Sequence, residues 1–287
     1  MLRHVLVCLE PAATNEGCRR AALDLGRMSG CALTGIYVRS LTPAPVPVIY
    51  PMAGLVVGEG MVPAGVLAEM DERVLQHEAE ENRRQQEVFD AFLSEARERG
   101  VRAGTMVRTG EVQEEIIAAS RGTDLVMLGR GRAGSESLLG SAAGAVVRSV
   151  RRPVMMVPRW DGPPGRIAVA YDGSPGADRA LAMAVDIALA SRPRDVEIVL
   201  IGITAQESEP STFLEPARRY VNASELTHRV CTAPGDPAVL IEALARTEDA
   251  GLLAMGAYGH SLIREVLLGS TTQALLAAWD RPLLLSH

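Results

Sequence analysis

The sequence predicts an α/β protein built from two repeats of an open, parallel, five-stranded sheet with helices on both faces. Three observations support this fold class. The two halves of the 287-residue chain match each other segment by segment. Within each half, short apolar runs alternate with helical patterns, which is typical of βαβ units. The fourth apolar run of each half is nearly continuous, as expected for a strand covered by helices on both faces.

Each repeat opens with a strand, a helix and a second strand. The segments with these patterns are Val5–Leu9, Cys18–Met28 and Leu33–Val38 in the first copy, and Ile167–Tyr171, Ala177–Ala190 and Val196–Ile203 in the second. Because the two copies match in the same order, we expect one topology for both.

The later part of each repeat also matches. A Gly-led turn opens a helix, a fourth strand comes next, and a Gly-Ser pair starts another helix. These segments are Gly110–Val112, Asp124–Gly129 and Gly140–Ser141 in the first copy, and Gly235–Pro237, Gly251–Gly256 and Gly269–Ser270 in the second. An Arg-Pro pair then precedes each final strand. We predict one domain at 1–158 and another at 166–287, joined by the Gly- and Pro-rich linker 159–165.

The copies differ mainly between their second and third strands. The first copy has a Pro- and Gly-rich apolar stretch from Leu41 to about Gly65, followed by a charged helix from about Leu67 to Arg99. The second copy has only the short segment Gln206–Val221 there. The long stretch could cover a ligand or a partner surface, and the favoured interpretation is a packed insertion.

The composition excludes several classes of protein. A hydrophobic fraction of 47% with 22% charged residues is typical of a soluble globular protein. The net charge of −6 argues against general nucleic-acid binding, because phosphate neutralisation needs clustered positive charge. The chain contains no lysine, which excludes Schiff-base chemistry and a Walker A phosphate site.

Targeting and redox features favour a cytoplasmic protein. The first apolar run stops at Glu10, and no run reaches the roughly 18 residues of a membrane span. We therefore predict neither a signal peptide nor a membrane anchor. None of the four cysteines lies in a C-x-x-C pair, which favours reduced thiols over a disulfide or a metal site.

Candidate binding residues lie at the predicted carboxyl ends of the second copy's strands, where open parallel sheets bind ligands. Asp172 follows the first strand, Ile203 ends the second and Gly256 ends the fourth. A glycine at position 256 removes a side chain where a triphosphate would approach the backbone. Gly269 and Ser270 lie at or near a helix N-terminus, whose free amides and dipole attract anions.

The spacing of these glycines resembles the universal stress protein family, whose ATP-binding members carry G-x2-G-x9-G-[ST] after the fourth strand. The second copy matches this motif at Gly256, Gly259, Gly269 and Ser270. Further matches are Val169–Ser174, Gly235–Pro237 and Arg281–Pro282. Each copy resembles the family once, so that the resemblance covers essentially the whole chain.

The resemblance implies an ATP site in the second copy, with ADP and AMP as alternatives and with or without Mg²⁺. It implies that Asp172 contacts the adenosine, that Ala170 and Tyr171 line the adenosine pocket, and that Ile203 meets the adenine through its backbone. The residues implied around the phosphates are Gly256, Tyr258, Gly259, Gly269, Ser270, Thr271 and Thr272.

The first copy departs from this pattern. Glu10-Pro11 stands where the second copy has Asp172-Gly173. The interval from Gly129 to Gly140 is eleven positions, against thirteen from Gly256 to Gly269. A shorter loop alters any phosphate cradle, although Arg130 and Arg132 could hold an anion by another geometry. We expect no ATP in this copy and a structural role in pairing with the second.

In the universal stress protein family the final strands commonly associate across a twofold axis, so the tandem chain resembles a dimer made covalent. We predict that segments 153–157 and 282–286 form the interface between the copies. An exposed final strand also needs a partner for its backbone groups. Homodimers of whole chains are expected in addition.

These features predict an ATP-binding regulatory or stress-response protein without efficient catalysis, because no motif residue is an evident general base. One alternative is a slow ATP-hydrolysing enzyme of the adenine nucleotide α-hydrolase group. The segment Asp172–Pro175 does not match the S-G-G-x-D-S loop of its pyrophosphatase branch. Another alternative is a protein-interaction module that binds no nucleotide, against which the intact second motif argues.

Overall fold

A computed structural model describes residues 2–10, 15–39, 64–129, 138–205, 211–257 and 269–287. The first copy alternates five strands with four helices. In chain order these are β1 (His4–Cys8), α1 (Glu16–Ser29), β2 (Ala32–Arg39), α2 (Ala64–Glu98), β3 (Ala103–Thr109), α3 (Val112–Ser120), β4 (Leu125–Gly129), α4 (Leu138–Ser149) and β5 (Val154–Val157).

The second copy repeats this order with a much shorter element after its second strand. Its elements are β6 (Arg166–Ala170), α5 (Pro175–Ala190), β7 (Glu197–Thr204), a 3-10 turn (Ser211–Leu214), α6 (Glu215–Ala223), β8 (His228–Pro234), α7 (Pro237–Thr247), β9 (Leu252–Gly256), α8 (Ser270–Ala278) and β10 (Leu283–Ser286).

The ten strands form one sheet in the order β3-β2-β1-β4-β5-β10-β9-β6-β7-β8. All strands within a copy run parallel, and each copy has the same internal order. Among these ten described strands, the only antiparallel pair joins the copies, where Leu283 lies opposite Met156 and Leu285 opposite Val154. The predicted α/β fold is confirmed, and the segments predicted to meet between the copies do pair.

Apolar strands explain the sheet's buried position. Every residue of β4, β5 and β10 is buried, and helices cover both faces of the sheet. One core layer contains residues of α1, α2 and α5, and the other contains residues of α3, α4, α7 and α8. Each layer draws side chains from both copies, so the interface between the copies is part of a common core.

The segment between β5 and β6 packs against the first copy. The indole Nε1 of Trp160 donates to Oδ2 of Asp24 in α1 at 2.7 Å, and Arg99 donates to the other carboxylate oxygen at 2.7 Å. A Cβ atom on Gly17 would lie 3.1 Å from the Cα of Arg159, which is closer than most real Cβ contacts. Glycine at position 17 therefore lets the connecting segment cross the start of α1.

Helix α2 confirms the predicted charged helix of the first copy. Its C-terminal half packs on β2, with Phe92 fully buried beside Gly35. The hydroxyl of Tyr37 in β2 donates to Glu81 at 2.7 Å, and Arg39 donates to Gln85 at 2.9 Å through Nε. The apolar stretch predicted to be a packed insertion lies mostly in 40–63, outside the described residues.

Two further predictions concern local structure. Helix α4 begins at Leu138, so the prediction that Gly140-Ser141 opens this helix is wrong by two or three residues. The helix can include the residues before Ser141 because Leu138-Leu139-Gly140-Ser141 contains no proline, which would interrupt a helix beyond its first position. All four cysteines are free thiols, and Cys8, Cys18 and Cys31 are buried. In the part of the chain that the structure describes, no helix has both the length and the apolar character to cross a membrane.

Candidate functional site

A cavity of about 330 Å³ lies at the carboxyl ends of β6, β7 and β9 in the second copy. Helices α7 and α8 close its sides. The residues that line it are Ala170, Tyr171, Asp172, Ile201, Ile203, Pro237, Ile241, Met255, Gly256, Gly269, Ser270, Thr271 and Thr272. The strand order turns back between β6 and β9, the position where parallel α/β sheets bind ligands.

Most of the residues predicted from sequence meet at this cavity. Nine of the eleven line it, namely Ala170, Tyr171, Asp172, Ile203, Gly256, Gly269, Ser270, Thr271 and Thr272. The other two, Tyr258 and Gly259, lie outside the described residues. The geometry thus joins residues that are about a hundred positions apart in the chain.

The N-terminus of α8 forms one wall. Gly269 is its cap residue, and the first backbone bond within the helix runs from the amide of Gln273 to the carbonyl of Gly269. The amides of residues 270–272 precede that bond, so they have no acceptor within the helix. Ser270 is exposed and Thr271 is half-buried, which leaves both hydroxyl-bearing residues at the cavity surface.

Thr272 has a different role from its two neighbours. Its side chain is 2% exposed, and its hydroxyl donates to the carbonyl of Ala257 at 2.9 Å. The hydroxyl of Thr272 therefore fixes the position of Ala257, the residue after β9. Thr272 can offer a ligand its backbone amide, while Ser270 and Thr271 are better placed to offer hydroxyl groups.

The two described glycines of the motif differ in what they contact. A Cβ on Gly256 would lie 3.0 Å from the amide nitrogen of Ala177, so this glycine allows the first turn of α5 to approach β9. Among the described residues, a Cβ on Gly269 would meet no atom closer than 3.8 Å. The sequence assigned Gly256 to the approach of a triphosphate, and the structure gives it a packing reason. At Gly269 the described residues supply no comparable packing reason.

The opposite part of the cavity is apolar. Ile201 and Ile203 come from β7, Met255 from β9, and Ile241 from α7. Sequence reasoning missed Ile201, Pro237, Ile241 and Met255. The alternation of side chains along a strand could have found Ile201, because residues two apart lie on the same face. Ile241 required knowledge of how α7 packs on β7.

Asp172 follows β6 in a tight turn at the cavity edge. It is exposed, and its Oδ1 accepts a hydrogen bond from the amide of Ser174 at 2.9 Å. The turn places Gly173 at a φ of +77°, where glycine is favoured. Ser174 then caps α5 by accepting from the amide of Ala177 at 3.2 Å. The hydrogen bond from the amide of Ser174 thereby orients the side chain of Asp172.

Tyr171 lines the cavity but directs its hydroxyl away to a carboxylate. Its ring is buried, and the hydroxyl donates to Oδ1 of Asp178 in α5 at 2.6 Å. Burial, followed by the bond to the anionic Asp178, raises the pKa of Tyr171 above its ordinary value. The phenol therefore stays protonated at neutral pH and cannot act as a base there.

A much smaller cavity lies beyond the end of β1 in the first copy, between α1 and α2. It measures about 90 Å³, and half of its lining comes from α2, through Arg84, Glu87, Val88 and Ala91. Glu10, the counterpart of Asp172, lines it and is 9% exposed. The acidic residue after the first strand therefore meets a packed helix in one copy and an open cavity in the other.

The side chains of the described residues limit which groups could hold a metal ion. The described residues contain no group of three His, Cys, Asp or Glu placed to hold a metal ion. Oxygen ligands for a cation at the larger cavity would therefore come chiefly from Asp172, Ser270 and Thr271, together with the ligand itself.

Similarity to known proteins agrees with this architecture. A universal stress protein of Synechocystis is 29% identical over 165 residues, which cover 56% of this chain and 57% of that relative. The match therefore spans less than two thirds of the relative's length. A solved universal stress protein from Archaeoglobus fulgidus superposes with a TM-score of 0.70 at 21% identity, covering 99% of this chain and 97% of that one.

A solved structure described as a putative universal stress protein from Pseudomonas aeruginosa also matches, with a TM-score of 0.57, 18% identity, and coverage of 99% of this chain and 93% of that chain. At these identities the superpositions show the fold. The family itself is shown by sequence, because the model of the universal stress protein family matches residues 48–158 and again residues 164–287. The chain therefore belongs to the universal stress protein family, as a member with two domains in tandem.

Proposed function

We propose that the second copy binds an adenine nucleotide, foremost ATP, and that the chain acts as a nucleotide-responsive regulatory protein. Membership of the universal stress protein family supports a role in stress response. The observation that carries the proposal is the cavity at the ends of β6, β7 and β9, which combines an apolar part with the start of a helix. A nucleotide has the same two parts, a flat base and an anionic tail.

The strand order favours one orientation of the nucleotide. In the order β9-β6-β7, the apolar residues Ile201 and Ile203 lie on the β7 side. Ile241 of α7 adds to that wall. Burial of a planar base against these side chains removes apolar surface from water, which stabilises a complex. The base is therefore proposed to lie at β7, as the family resemblance implied for Ile203.

The phosphates are proposed to lie at the other end, against α8. The amides of residues 270–272 and the dipole of α8 favour an anion there. No atom of the described residues lies closer than 3.8 Å to the position that a Cβ on Gly269 would take, so these residues leave a phosphate room to approach the amides. Hydroxyls of Ser270 and Thr271 could accept or donate further bonds, or contact a Mg²⁺ ion that bridges the phosphates.

The described walls favour binding over rapid hydrolysis. Asp172 is the one carboxylate among the described lining residues, and its Oδ1 is already bonded to the amide of Ser174. Tyr171 is held protonated beside Asp178. Tyr171 is therefore not an effective general base at neutral pH. A slow ATP-hydrolysing enzyme remains the second candidate, and its test is phosphate or pyrophosphate released with turnover.

The decisive experiment measures nucleotide directly. Purified protein is denatured, released nucleotide is identified by chromatography, and ATP, ADP and AMP are titrated calorimetrically. The variant Gly269→Val places a side chain at the phosphate end, where a Cβ meets no atom of the described residues closer than 3.8 Å. We expect it to fold like wild type and to weaken ATP binding about tenfold or more, the effect of a steric clash of about 1–3 kcal/mol.

The matched control is Gly104→Val, since a Cβ on Gly104 in β3 also meets no neighbour within 4 Å and lies in the other copy. This variant should bind ATP like wild type. Absence of adenine nucleotide from the purified protein, together with no binding at millimolar concentrations, would defeat the proposal. Equal binding by wild type and Gly269→Val would move the phosphate site away from α8.

A further inference from the structure

Residues at the end of β10 connect the first copy to the cavity in the second. Ser286 pairs with Gly256 of β9 in the sheet, and His287 comes next in the chain. The Nε2 atom of His287 is hydrogen-bonded to the carbonyl of Val147, in the last turn of α4. Two consecutive residues thus contact the glycine motif of one copy and a helix of the other.

On the side of the cavity, Ala257 is bonded through both of its backbone groups. Its amide donates to the carbonyl of Ser286 at 2.7 Å. Its carbonyl accepts from the hydroxyl of Thr272 in the first turn of α8 at 2.9 Å. Ala257 and Ser286 are fully buried, and Thr272 nearly so. Ala257 is therefore hydrogen-bonded both to the start of α8 and to β10.

Close packing limits how far this connection can move. A Cβ on Gly176, in the first turn of α5, would lie 3.0 Å from the carbonyl oxygen of Ser286 and 3.2 Å from the Cα of Gly256. The backbones of α5, β9 and β10 therefore meet with no side chain between them. Interiors packed this densely transmit small displacements instead of absorbing them.

On the side of the first copy, His287 is held at the end of α4. Because a carbonyl oxygen only accepts, the Nε2 of His287 must carry the hydrogen in this bond. Burial lowers the pKa of His287, so the ring is neutral at neutral pH. Val147 is fully buried, in the same core layer as Leu285 of β10. Both Val147, whose carbonyl accepts the bond, and β10, which leads to His287, are therefore fixed by the same core layer.

We infer that His287 is a positioning residue for the nucleotide site, through which the first copy sets the placement of Ala257 and the start of α8. The route runs from Val147 to His287, along the backbone to Ser286, and then through Ala257 to Thr272. This inference rests on the proposed nucleotide function. It gives the first copy a part in binding although its own cavity is small.

The test compares two substitutions at His287 in the full chain. His287→Ala removes the hydrogen bond, whereas His287→Gln keeps an N–H donor of similar reach. Two quantities are measured, namely the hydrogen exchange of backbone amides at 254–257 and 269–278 without nucleotide, and the ATP dissociation constant. We expect His287→Ala to speed exchange at both segments and to raise the dissociation constant, each by about two- to tenfold, the worth of one hydrogen bond.

His287→Gln should stay within about twofold of wild type, since its amide preserves the bond. Trp160→Phe is the matched control, because it also removes one hydrogen bond to the first copy, the bond from Nε1 to Asp24, but lies off the route. It should leave exchange at 269–278 and ATP binding unchanged. A change in His287→Ala that His287→Gln does not restore would overturn the inference.

The two proposals fail in different ways. If wild type binds no adenine nucleotide, the proposed function falls, and the exchange of 269–278 in nucleotide-free His287→Ala alone decides the positioning role. If wild type binds ATP and His287→Ala binds it equally well, the positioning role falls while the proposed function stands. Faster exchange confined to α4 would likewise overturn the positioning role, because the effect would stop at the first copy.

Discussion

The two copies share one fold but differ in the elements that come after the second strand. In the first copy the 35-residue helix α2 packs on β2, and Tyr37 and Arg39 of β2 bond to it. In the second copy a 3-10 turn and the 9-residue α6 take its place. The acidic residue after the first strand differs accordingly. Glu10 lines a cavity of about 90 Å³ against α2, whereas Asp172 lines the open cavity of about 330 Å³.

The contrast teaches that equivalent backbones can present different surfaces at their strand ends. The sheet registers of the copies match, with Cys8 opposite Ile36 in one and Ala170 opposite Ile201 in the other. The helix after the second strand draws the acidic residue of the first copy into a packed region. The shorter elements of the second copy leave it at a ligand-sized space. Four experiments test this contrast, in order of decreasing expected effect.

The largest effect is expected where α2 packs on the first copy's sheet. Phe92→Ala removes a fully buried ring from the interface between α2 and β2, and should lower the free energy of unfolding by about 3–5 kcal/mol. Phe213→Ala is the matched change, because Phe213 approaches Gly202 of β7 but is only half-buried. It should cost about 1–2 kcal/mol. Urea unfolding measures both.

Both variants should unfold in a single transition, because one core layer contains side chains of both copies. Separate transitions for the two copies would show that the common core does not couple them. A cost below about 1 kcal/mol for Phe92→Ala would contradict the packing of α2 on β2.

The next experiment places a charge at equivalent positions of the two second strands. Ile203→Glu puts a carboxylate at the proposed base end of the cavity, and should weaken ATP binding on the order of 100-fold, because an apolar site cannot solvate the charge. Val38→Glu makes the same change in β2, also at a half-buried position. It should bind ATP like wild type. Titration of both variants decides whether the second copy alone holds nucleotide, and equal losses would contradict this.

A smaller effect concerns acid stability. Glu197 at the start of β7 accepts hydrogen bonds from Arg229 at 2.9 Å and Arg166 at 3.0 Å. The bond from Arg229 contributes most to lowering the pKa of Glu197, and burial opposes it. Ala32 occupies the matching register in the first copy. This charged cluster therefore belongs to the second copy alone.

The sign of the pH dependence follows from the lowered pKa. Ionised Glu197 stabilises the fold fully above its ordinary pKa of about 4.3, and this stabilisation is lost as the pH falls through the lower folded value. Wild type should exceed Glu197→Gln by about 1 kcal/mol near pH 6. The difference should shrink toward pH 3 in urea titrations. A difference that does not change with pH would show that the carboxylate charge contributes nothing.

The smallest effect concerns self-association of whole chains. The β5 and β10 edges are already paired within the chain, so the strands at the outer edges of the sheet are β3 and β8. Each carries an exposed valine, Val107 at 37% and Val230 at 38%. We expect a dimer by size-exclusion chromatography with light scattering, weakened by lysine at one of these positions. Only monomer in wild type would remove this prediction.

Sequence alone predicted the topology well, for physical reasons. A nearly continuous apolar run such as 252–256 predicts a buried strand. Because the two copies repeat the same order of segments, the assignment of each element in one copy supported the same assignment in the other. The pairing of 153–157 with 282–286 was expected from the family resemblance, supported by the need of an exposed final strand for a partner. Nine of the predicted residues line the cavity. Strand ends and the helix start marked Asp172, Ile203, Gly256, Gly269 and Ser270, and the family resemblance supplied the other four.

The residues that sequence reasoning missed depend on contacts between distant elements. Ile241 lines the cavity because α7 packs on β7, which no local pattern encodes. The packing role of Gly256 depends on Ala177, almost eighty positions away. The hydroxyl of Thr272 could not be assigned to Ala257 without coordinates. His287 belongs to no motif, and its contact with Val147 exists only because the two copies meet.

The antiparallel pairing of β5 with β10 has a geometric consequence for the whole protein. Strands of the first copy end at one rim of the sheet, and strands of the second copy end at the opposite rim. The long insertion after β2 and the cavity beside β7 therefore start from opposite rims. In a tandem duplication joined in this way, the residues at one rim can change independently of those at the other. The pairing of β5 with β10 keeps the two copies in register.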